Sequence, residues 1–415
     1  MSKIIIIGGG AAGMMAAGVA AKNCEEVLLI EKTGSLGNKL SITGKGKCNL
    51  TNTEPKISTF IEKFGVKGKF LYNCFYKFFN QDLIEFFESK NLPLKEFSGG
   101  RIYPASLNAR DVVKTLIEFI KNNGVQVKLD ERAVKLIISD DKIKYLITNE
   151  KKYSCDSIII AAGGMSYPKT GSTGDGYELA KQAGHTISPL LPSLVPLKTE
   201  NIPKNLVGLK LKNVKVDVYN KEKEKLASEF GEFSFTDYGL DGSAILELSR
   251  NLKNKFTKCN LELKIDLKPV LTEKKLHNRI IREAKKHGKQ EYKTLLGKLL
   301  PKKMVTIFLR KTNVDPHKKI ASITTEDRSE LIDLLKNFTV EICRTASIEN
   351  AIITAGGIKT DQINPRTMES KLVQGLFFAG EVVDIDAATG GYNLQAAFST
   401  GYVAGKSAAG SSSNK

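Results

Sequence analysis

No apolar run in this 415-residue chain approaches the roughly 18 residues that a membrane-spanning helix needs. A non-membrane, cytoplasmic protein is therefore expected. Cysteine is sparse, and no two cysteines stand in C-x-x-C spacing. Cys24, Cys48, Cys74, Cys155, Cys259 and Cys343 are scattered with no secretory context, which predicts reduced thiols and neither a metal centre nor dithiol chemistry. Acid is in deficit: 63 Lys and Arg against 45 Asp and Glu leave a net charge of +18. The excess is regional, because 251–320 alone holds 20 basic against 6 acidic residues. No aromatic residues interleave there as stacking platforms, so a solvated Lys-rich helical surface is favoured over a nucleic-acid patch, which stays open. At 41% hydrophobic content there is core material for two or three domains.

What is present is organised around the first thirty residues, KIIIIGGGAAGMMAAGVAAKNCEEVLLIEK from Lys3 to Lys32. Four isoleucines read as a strand buried on both faces. Gly8, Gly10 and Gly13 follow at G-x-G-x-x-G spacing and open an Ala-rich helix; a second apolar strand, Val27 to Ile30, then ends on Glu31. Gly8 permits the tight turn, Gly10 leaves room for a pyrophosphate beside the backbone, and Gly13 lets helix and strand approach closely. Glu31 stands where an acid binds ribose hydroxyls. The glycines break up any signal-peptide core. This is a dinucleotide-binding Rossmann unit, with FAD and NAD both open at this point.

Further along, Gly34 to Asn52 is a loop rich in Gly, Lys, Ser, Thr and Asn, including Gly44 and Gly46, suited to wrapping an anion or polar ring. Phe60 to Asn91 shows helical spacing, GGRIYPAS carries Arg101 and Tyr103 on a strand, and Asn108 caps a helix to about Asn122. Short alternating strands VQVKLD, AVKLIISD, IKYLITN and KYSCD follow. SIIIAAGGMSY repeats the opening logic, with a buried strand running into Gly163 and Gly164. Asp175 or Thr173 starts a helix to about Ala183, and His185 behind it reads as a packing or capping group. Three prolines in Ser188 to Leu197 mark a domain crossing. Beyond it, Val207 to Tyr219 and Glu232 to Leu248 read as antiparallel strands, with a Gly-rich turn in SFTDYGLDGSAILELS, and Thr272 to about Leu300 and Thr325 to Lys336 read as basic or mixed amphipathic helices. NAIITAGGIKTDQI restores the buried-strand pattern. The last block places a strand ending at Gly380 and Glu381 before Gly390, Gly391 and a small-residue helix, whose first amides near Tyr392 to Leu394 can face an electron-rich ring. There is one complete G-x-G-x-x-G and no second. A strand and helix of this kind at the far end suit FAD, whose isoalloxazine lies far from its adenosine; NAD(P)H would then visit only transiently.

GGGAAG, NKLSITGKGKCNLTN, GGRIYP, AAGGMSYPKTGSTGDGYELAKQAGH, FTDYGLDG, TAGGI, NPRTMESKLVQGLFFAGEVVD and GGYNLQAAFSTG together resemble the BaiN-like, aminoacetone-oxidase-like FAD flavoproteins over nearly the whole chain. The resemblance implies an α/β fold: a Rossmann-like FAD-binding domain of the two-dinucleotide-binding-domain flavoprotein type, carrying an inserted β-barrel-like plus helical domain. The FAD-binding domain would comprise 1–190 and 353–415. The insertion would span 191–352, β-rich over 191–270 and 331–352, helical and basic over 271–330. FAD contacts implied by the resemblance are Ala11, Ala12, Gly13, Glu31, Lys32, Lys39, Gly46, Asn49, the backbone at Val134 by the adenine, Gly163, Glu381, and Asn393 with Leu394 at the flavin. Asp237 stands where relatives often have His in F-T-x-x-G, which puts a His-based proton role there in doubt.

Members of that family are NAD(P)H-dependent reductases, including enzymes of bile-acid catabolism that reduce conjugated C=C bonds of 3-oxo steroids, or aminoacetone oxidases. The leading expectation is the steroid-type reductase of a small-molecule substrate; the alternatives are the amine oxidase, releasing peroxide, and an FAD protein that binds or modifies tRNA. Tyr103, Tyr238 and Tyr392 are candidate proton donors near the domain junction and Arg101 a candidate substrate anchor, each with a competing structural role.

Overall fold

A computed structural model describes residues 3–200, 202–253, 255 and 261–410; Cys259 lies outside them. Its core strand is β1 (Lys3–Ile7), whose Ile4, Ile5 and Ile6 are fully buried, as the unbroken apolar run requires. β1 lies between β2 (Glu26–Ile30) and the strand Ser157–Ile160, both parallel to it. Leu376–Phe378 and Gln126–Lys128 complete a five-stranded parallel sheet. In chain order the strands run 5-4-1-2-3 across the sheet. This is a Rossmann arrangement, and its order reverses between β1 and Ser157–Ile160, where ligands of such sheets bind at the carboxyl ends.

The stretch after Asn122 divides. Gln126–Lys128 joins the parallel sheet, while Ala133–Ser139, Lys142–Thr148 and Lys152–Ser154 form a separate three-stranded antiparallel sheet. The proline-rich crossing is itself largely a strand. Ile187–Ser193 pairs antiparallel with Ile353–Ile358, and a bulge between Ser188 and Leu191 takes Pro189 out of the ladder.

By contact the chain forms two compact units, Met1–Ser193 with Ile348–Lys415, and Leu194–Ser347. The second unit has a single seven-stranded antiparallel sheet rather than a described barrel, ordered Phe338–Ile342, Leu261–Asp266, Lys210–Tyr219, Lys225–Phe235, Gly239–Asp241, Leu197–Lys198, Arg344–Thr345. Helices Glu273–His287, Tyr292–Leu299, Lys302–Lys311 and Thr325–Lys336 accompany it. Two expectations need correction. Glu232 to Leu248 is strand only as far as Asp241: the chain turns through 236–238 into the short strand Gly239–Asp241, in keeping with the expected Gly-rich turn, but Ser243–Asn251 is helical, burying Ala244, Ile245 and Leu248 at a helical rather than an alternating period. Residues 331–336 belong to the helix Thr325–Lys336 that the spacing expects, opened by a capping box between Thr324 and Asp327, so the β-rich part does not begin at 331. Among the described residues no helix is long and apolar enough to cross a membrane.

Candidate functional site

Helix α1 (Ala11–Ala20) starts directly after β1, and the Met14 amide is the first to find an intrahelical acceptor, Gly10 O at 2.9 Å. The amides of Ala11, Ala12 and Gly13 therefore point out of the helix start, where its dipole favours an anion. A Cβ on Gly13 would lie 1.8 Å from the Gly8 carbonyl oxygen, so only glycine lets the turn close. A Cβ on Gly10 would meet nothing within 4 Å. It would project into an open cleft that holds about 1180 Å³ of empty space, its solvent mouth included.

That cleft lies wholly within the first unit. Of the residues expected from the sequence, Gly8, Gly10, Ala11, Ala12, Glu31, Lys39, Gly163, Gly380, Glu381, Asn393 and Leu394 line it. Glu31 closes one end, using Oε2 to accept from the Gly9 amide at 2.8 Å and Oε1 from the Thr33 amide at 2.9 Å. A smaller pocket adjoins Glu31 and is lined by Lys32, Arg132, Ala133 and Asp175. There Asp175 accepts from Arg132 Nε at 2.9 Å and Lys32 Nζ at 3.0 Å. Burial works to raise its pKa, but these two cations outweigh it and hold the carboxyl below the usual range.

The other end is built by the helix Tyr392–Gly410. Its Gln395 amide bonds back to Gly391 O at 3.1 Å, which leaves the earlier amides of Asn393 and Leu394 without an intrahelical acceptor. The Asn393 side chain is occupied locally, with Oδ1 accepting from the Ala387 amide at 2.8 Å and Nδ2 donating to Ala387 O at 3.0 Å. Between the two ends sits a polar cluster. Lys39 Nζ donates to Glu381 Oε2 at 2.6 Å and to Ser166 Oγ at 2.7 Å, while Glu381 Oε1 accepts from the Thr354 amide at 2.9 Å.

Other expected residues do not line the cleft. Gly13 lies behind the turn, and Gly44, Gly46 and Asn49 belong to the adjacent loop. Asn49 Oδ1 is buried without a hydrogen-bond partner. Val134 is 48% exposed, occupies the bulge between Ala133 and Lys135, and gives its carbonyl to Gln182 Nε2 at 3.1 Å. Arg101 is opposite Asn52 in its sheet, and Asn52 Nδ2 donates to Gly390 O at 3.4 Å, which brings this sheet to the start of the Tyr392–Gly410 helix. The Arg101 guanidinium has no hydrogen bond or ion pair among the described residues. Tyr103 packs edge-on to Phe97, and Tyr392 is 7% exposed with its ring 4.7 Å from that of Phe60. Tyr238 and Asp237 belong to the second unit. Sequence reasoning missed Ser166 and Thr354; the signal for Thr354 was a lone hydroxyl inside the apolar strand ITAGGI.

No disulfide joins the five described cysteines, and burial pushes Cys74 and Cys155 up to about 12, so both stay protonated.

The family model of the HI0933-like protein Rossmann domain matches residues 2–407. The chain belongs to this HI0933-like family. It is 31% identical over 99% of both chains to a 3-dehydro-bile acid delta(4,6)-reductase of Clostridium scindens. It is 30% identical over 97% of both chains to a ribosomal RNA dihydrouridine synthase of Haemophilus influenzae. Among solved structures, 3-ketosteroid delta1-dehydrogenase of Sterolibacterium denitrificans shares the fold over 99% of each chain at TM-score 0.56 and 12% identity. A flavocytochrome c3 fumarate reductase does so at TM-score 0.53 and 18% identity, over 99% of this chain and 78% of that one. Family membership makes the protein an FAD-dependent oxidoreductase. The site fits that cofactor: anion-ready amides at α1, an open face at Gly10, an acid at Glu31, and a second helix start across the cleft. Bound there, FAD supplies two-electron hydride chemistry.

Proposed function

We propose that this chain reduces a carbon–carbon double bond conjugated to a carbonyl, with uridine in RNA as the substrate class and NAD(P)H as a transient electron donor. The two differently named relatives support one reaction. A Δ4,6 bond next to a 3-oxo group and the C5=C6 bond of uracil next to its C4 carbonyl are both electron-poor alkenes. Each is saturated by hydride at the carbon remote from the carbonyl and a proton at its neighbour. The observation that favours RNA over a steroid is charge: residues 194–347 hold 32 Lys and Arg against 20 Asp and Glu. The 3-oxo steroid is the second reading, favoured by the relative at 31% identity.

In this reading Lys39 and Glu381 fix the polar middle of the cleft, the Asn393 and Leu394 amides hold the flavin edge, and Val134 offers its amide to the adenine. Lys32 adds to the cofactor shell from the smaller pocket beside Glu31, and Gly44, Gly46 and Asn49, which do not line the cleft, belong to the loop beside it that would close on the cofactor when it binds. A donor on the cofactor would satisfy the buried Asn49 Oδ1, an acceptor that costs roughly 1–3 kcal/mol while unpaired. Arg101, with its guanidinium uncommitted, anchors an anionic part of the substrate: phosphate in RNA, carboxylate in a bile acid. Tyr103 and Tyr392 are the proton-donor candidates on the cleft's own unit.

The test is anaerobic mixing of the holoenzyme with NADH, NADPH or aminoacetone while the oxidised flavin absorbance is followed. Unmodified ribosomal RNA transcribed in vitro, or a 3-oxo-4,6-diene steroid, is then added. Bleaching by a nicotinamide, recovery on adding RNA, and uridines heavier by two hydrogens are expected. Recovery with the steroid alone moves the assignment to the second reading. Bleaching by aminoacetone alone, with peroxide on admitting air, overturns both.

A further inference from the structure

The sequence favoured a solvated Lys-rich surface for 251–320; the helix Glu273–His287 shows how that charge is arranged. Its Leu276 and Ile280 are fully buried. Lys274, Lys275, Arg282, Lys285 and Lys286 are exposed, as is Lys289 just beyond the helix end. At about 100° per residue these six cations fall within roughly 120° of arc, on the side away from Leu276 and Ile280. No acid shares the arc. Glu273 lies on the far side, and Glu283 is committed to Lys298 at 3.2 Å and His287 at 3.7 Å. None of the six has an ion pair among the described residues.

An ordinary solvated helix interleaves the two signs, as Thr325–Lys336 does in the same unit with its TEDRSELIDLLK sequence. Here Arg282 with Lys286 and Lys285 with Lys289 are like-charged i, i+4 neighbours, which oppose helix formation when nothing neutralises them. The apolar stripe is already spent in the core, so the helix has none left to insert into a lipid surface. Among the described residues of 251–320 the aromatic rings, Tyr292 and Phe308, are fully buried too, so the described helix face offers charge and no stacking.

We infer that this face is a docking surface for RNA, gripping the phosphate backbone without reading bases. The inference rests on the RNA reading above and adds where the nucleic acid is held. Four contacts to phosphate displace about four counterions, so the face contributes close to 3 to the slope of log K against log salt. Base selection is left to the catalytic cleft.

The test compares Lys275→Gln/Arg282→Gln/Lys285→Gln/Lys286→Gln with a control that removes the same charge elsewhere, Lys56→Gln/Lys121→Gln/Lys204→Gln/Lys221→Gln. Glutamine keeps helix propensity, and the flavin content and nicotinamide-driven bleaching of both variants check the fold. Binding of unmodified ribosomal RNA transcript is measured from 50 to 200 mM salt. The helix variant should bind up to roughly 1,000-fold more weakly at 100 mM salt, with its slope reduced by about 3, and the control should stay near wild type. Equal weakening in both variants, an unchanged slope, or wild type that binds phosphatidylserine vesicles and not RNA overturns the inference. Failure of the function reading shows separately: wild type then binds the transcript but leaves its uridines unreduced.

Discussion

Gly10 is the residue at which fold and cofactor can be separated. Its φ of −84° and ψ of −168° suit any amino acid, and a Cβ there meets no protein atom within 4 Å. Gly10→Val should therefore leave the apo-protein's thermal midpoint close to wild type while filling the space beside the Ala11 and Ala12 amides. The purified variant is expected to be colourless, with FAD affinity at least 100-fold weaker by titration; a yellow variant would show that the pyrophosphate lies elsewhere. The glycine fingerprint was legible because backbone geometry writes itself into sequence as missing side chains. The Lys39–Glu381–Ser166–Thr354 cluster was not. Its members are separated by up to 342 residues and meet only through the fold, so the motifs gave the two ends of the pair without the pair itself.

Elements show the same rule through their packing. The closest helix pair in the first unit is α1 against Tyr392–Gly410, where Cβ atoms on Gly401 and Gly405 would each lie 2.4 Å from the carbonyl oxygens of Ala12 and Ala16. Both pairs are spaced by four residues, so one ridge of small residues lies against another. Gly405→Ala must push the helices apart and is expected to cost about 1–3 kcal/mol in urea unfolding despite a gain in helix propensity. A neutral or stabilising result would mean that the helices part without penalty. Long buried strands and capped helices were readable because their periods are clean, as with Asn108 Oδ1 accepting from the Arg110 amide at 3.1 Å. Ser243–Asn251 was not, because four apolar positions after a glycine turn fit a strand or a helix until a core selects one.

For the molecule as a whole, pH reports on the first unit through His185. Burial pushes its pKa from 6.5 down to about 4, and the Ser370 hydroxyl, 2.8 Å away and already accepting from the Leu372 and Val373 amides, is left to donate to Nε2. Between those two pH values the unfolded chain binds a proton that the folded chain refuses. Stability therefore rises with pH across that window and is flat on either side. The loss on descending from pH 7 to below 4 is about 3 kcal/mol from this group. Urea unfolding at pH 7 and 4.5 should show His185→Gln losing less than wild type; equal losses would mean that His185 is accessible to water in the fold. At this scale, the sequence showed a Rossmann unit at one end and a flavin-type strand and helix at the other. It did not show how charge is distributed over surface, since +18 is a sum and a helix face is an arrangement.

In the sequence, the cleft is lined by residues 8–43 and 161–172 before the continuous unit Leu194–Ser347 and by 352–353 and 380–400 after it. On the translating ribosome the lining made up to Ser172 thus waits while the residues up to Gly380, about 200 of them, are made, roughly 10–40 s at 5–20 residues per second. During that time Ser157–Ile160 lacks its neighbour Leu376–Phe378, and α1 lacks the helix that covers Ala12 and Ala16. The second unit has all its strands in one uninterrupted stretch and can mature first. Flavin capture is consequently among the last events in the birth of this protein, and a nascent chain stalled before residue 376 should emerge unable to hold the dye.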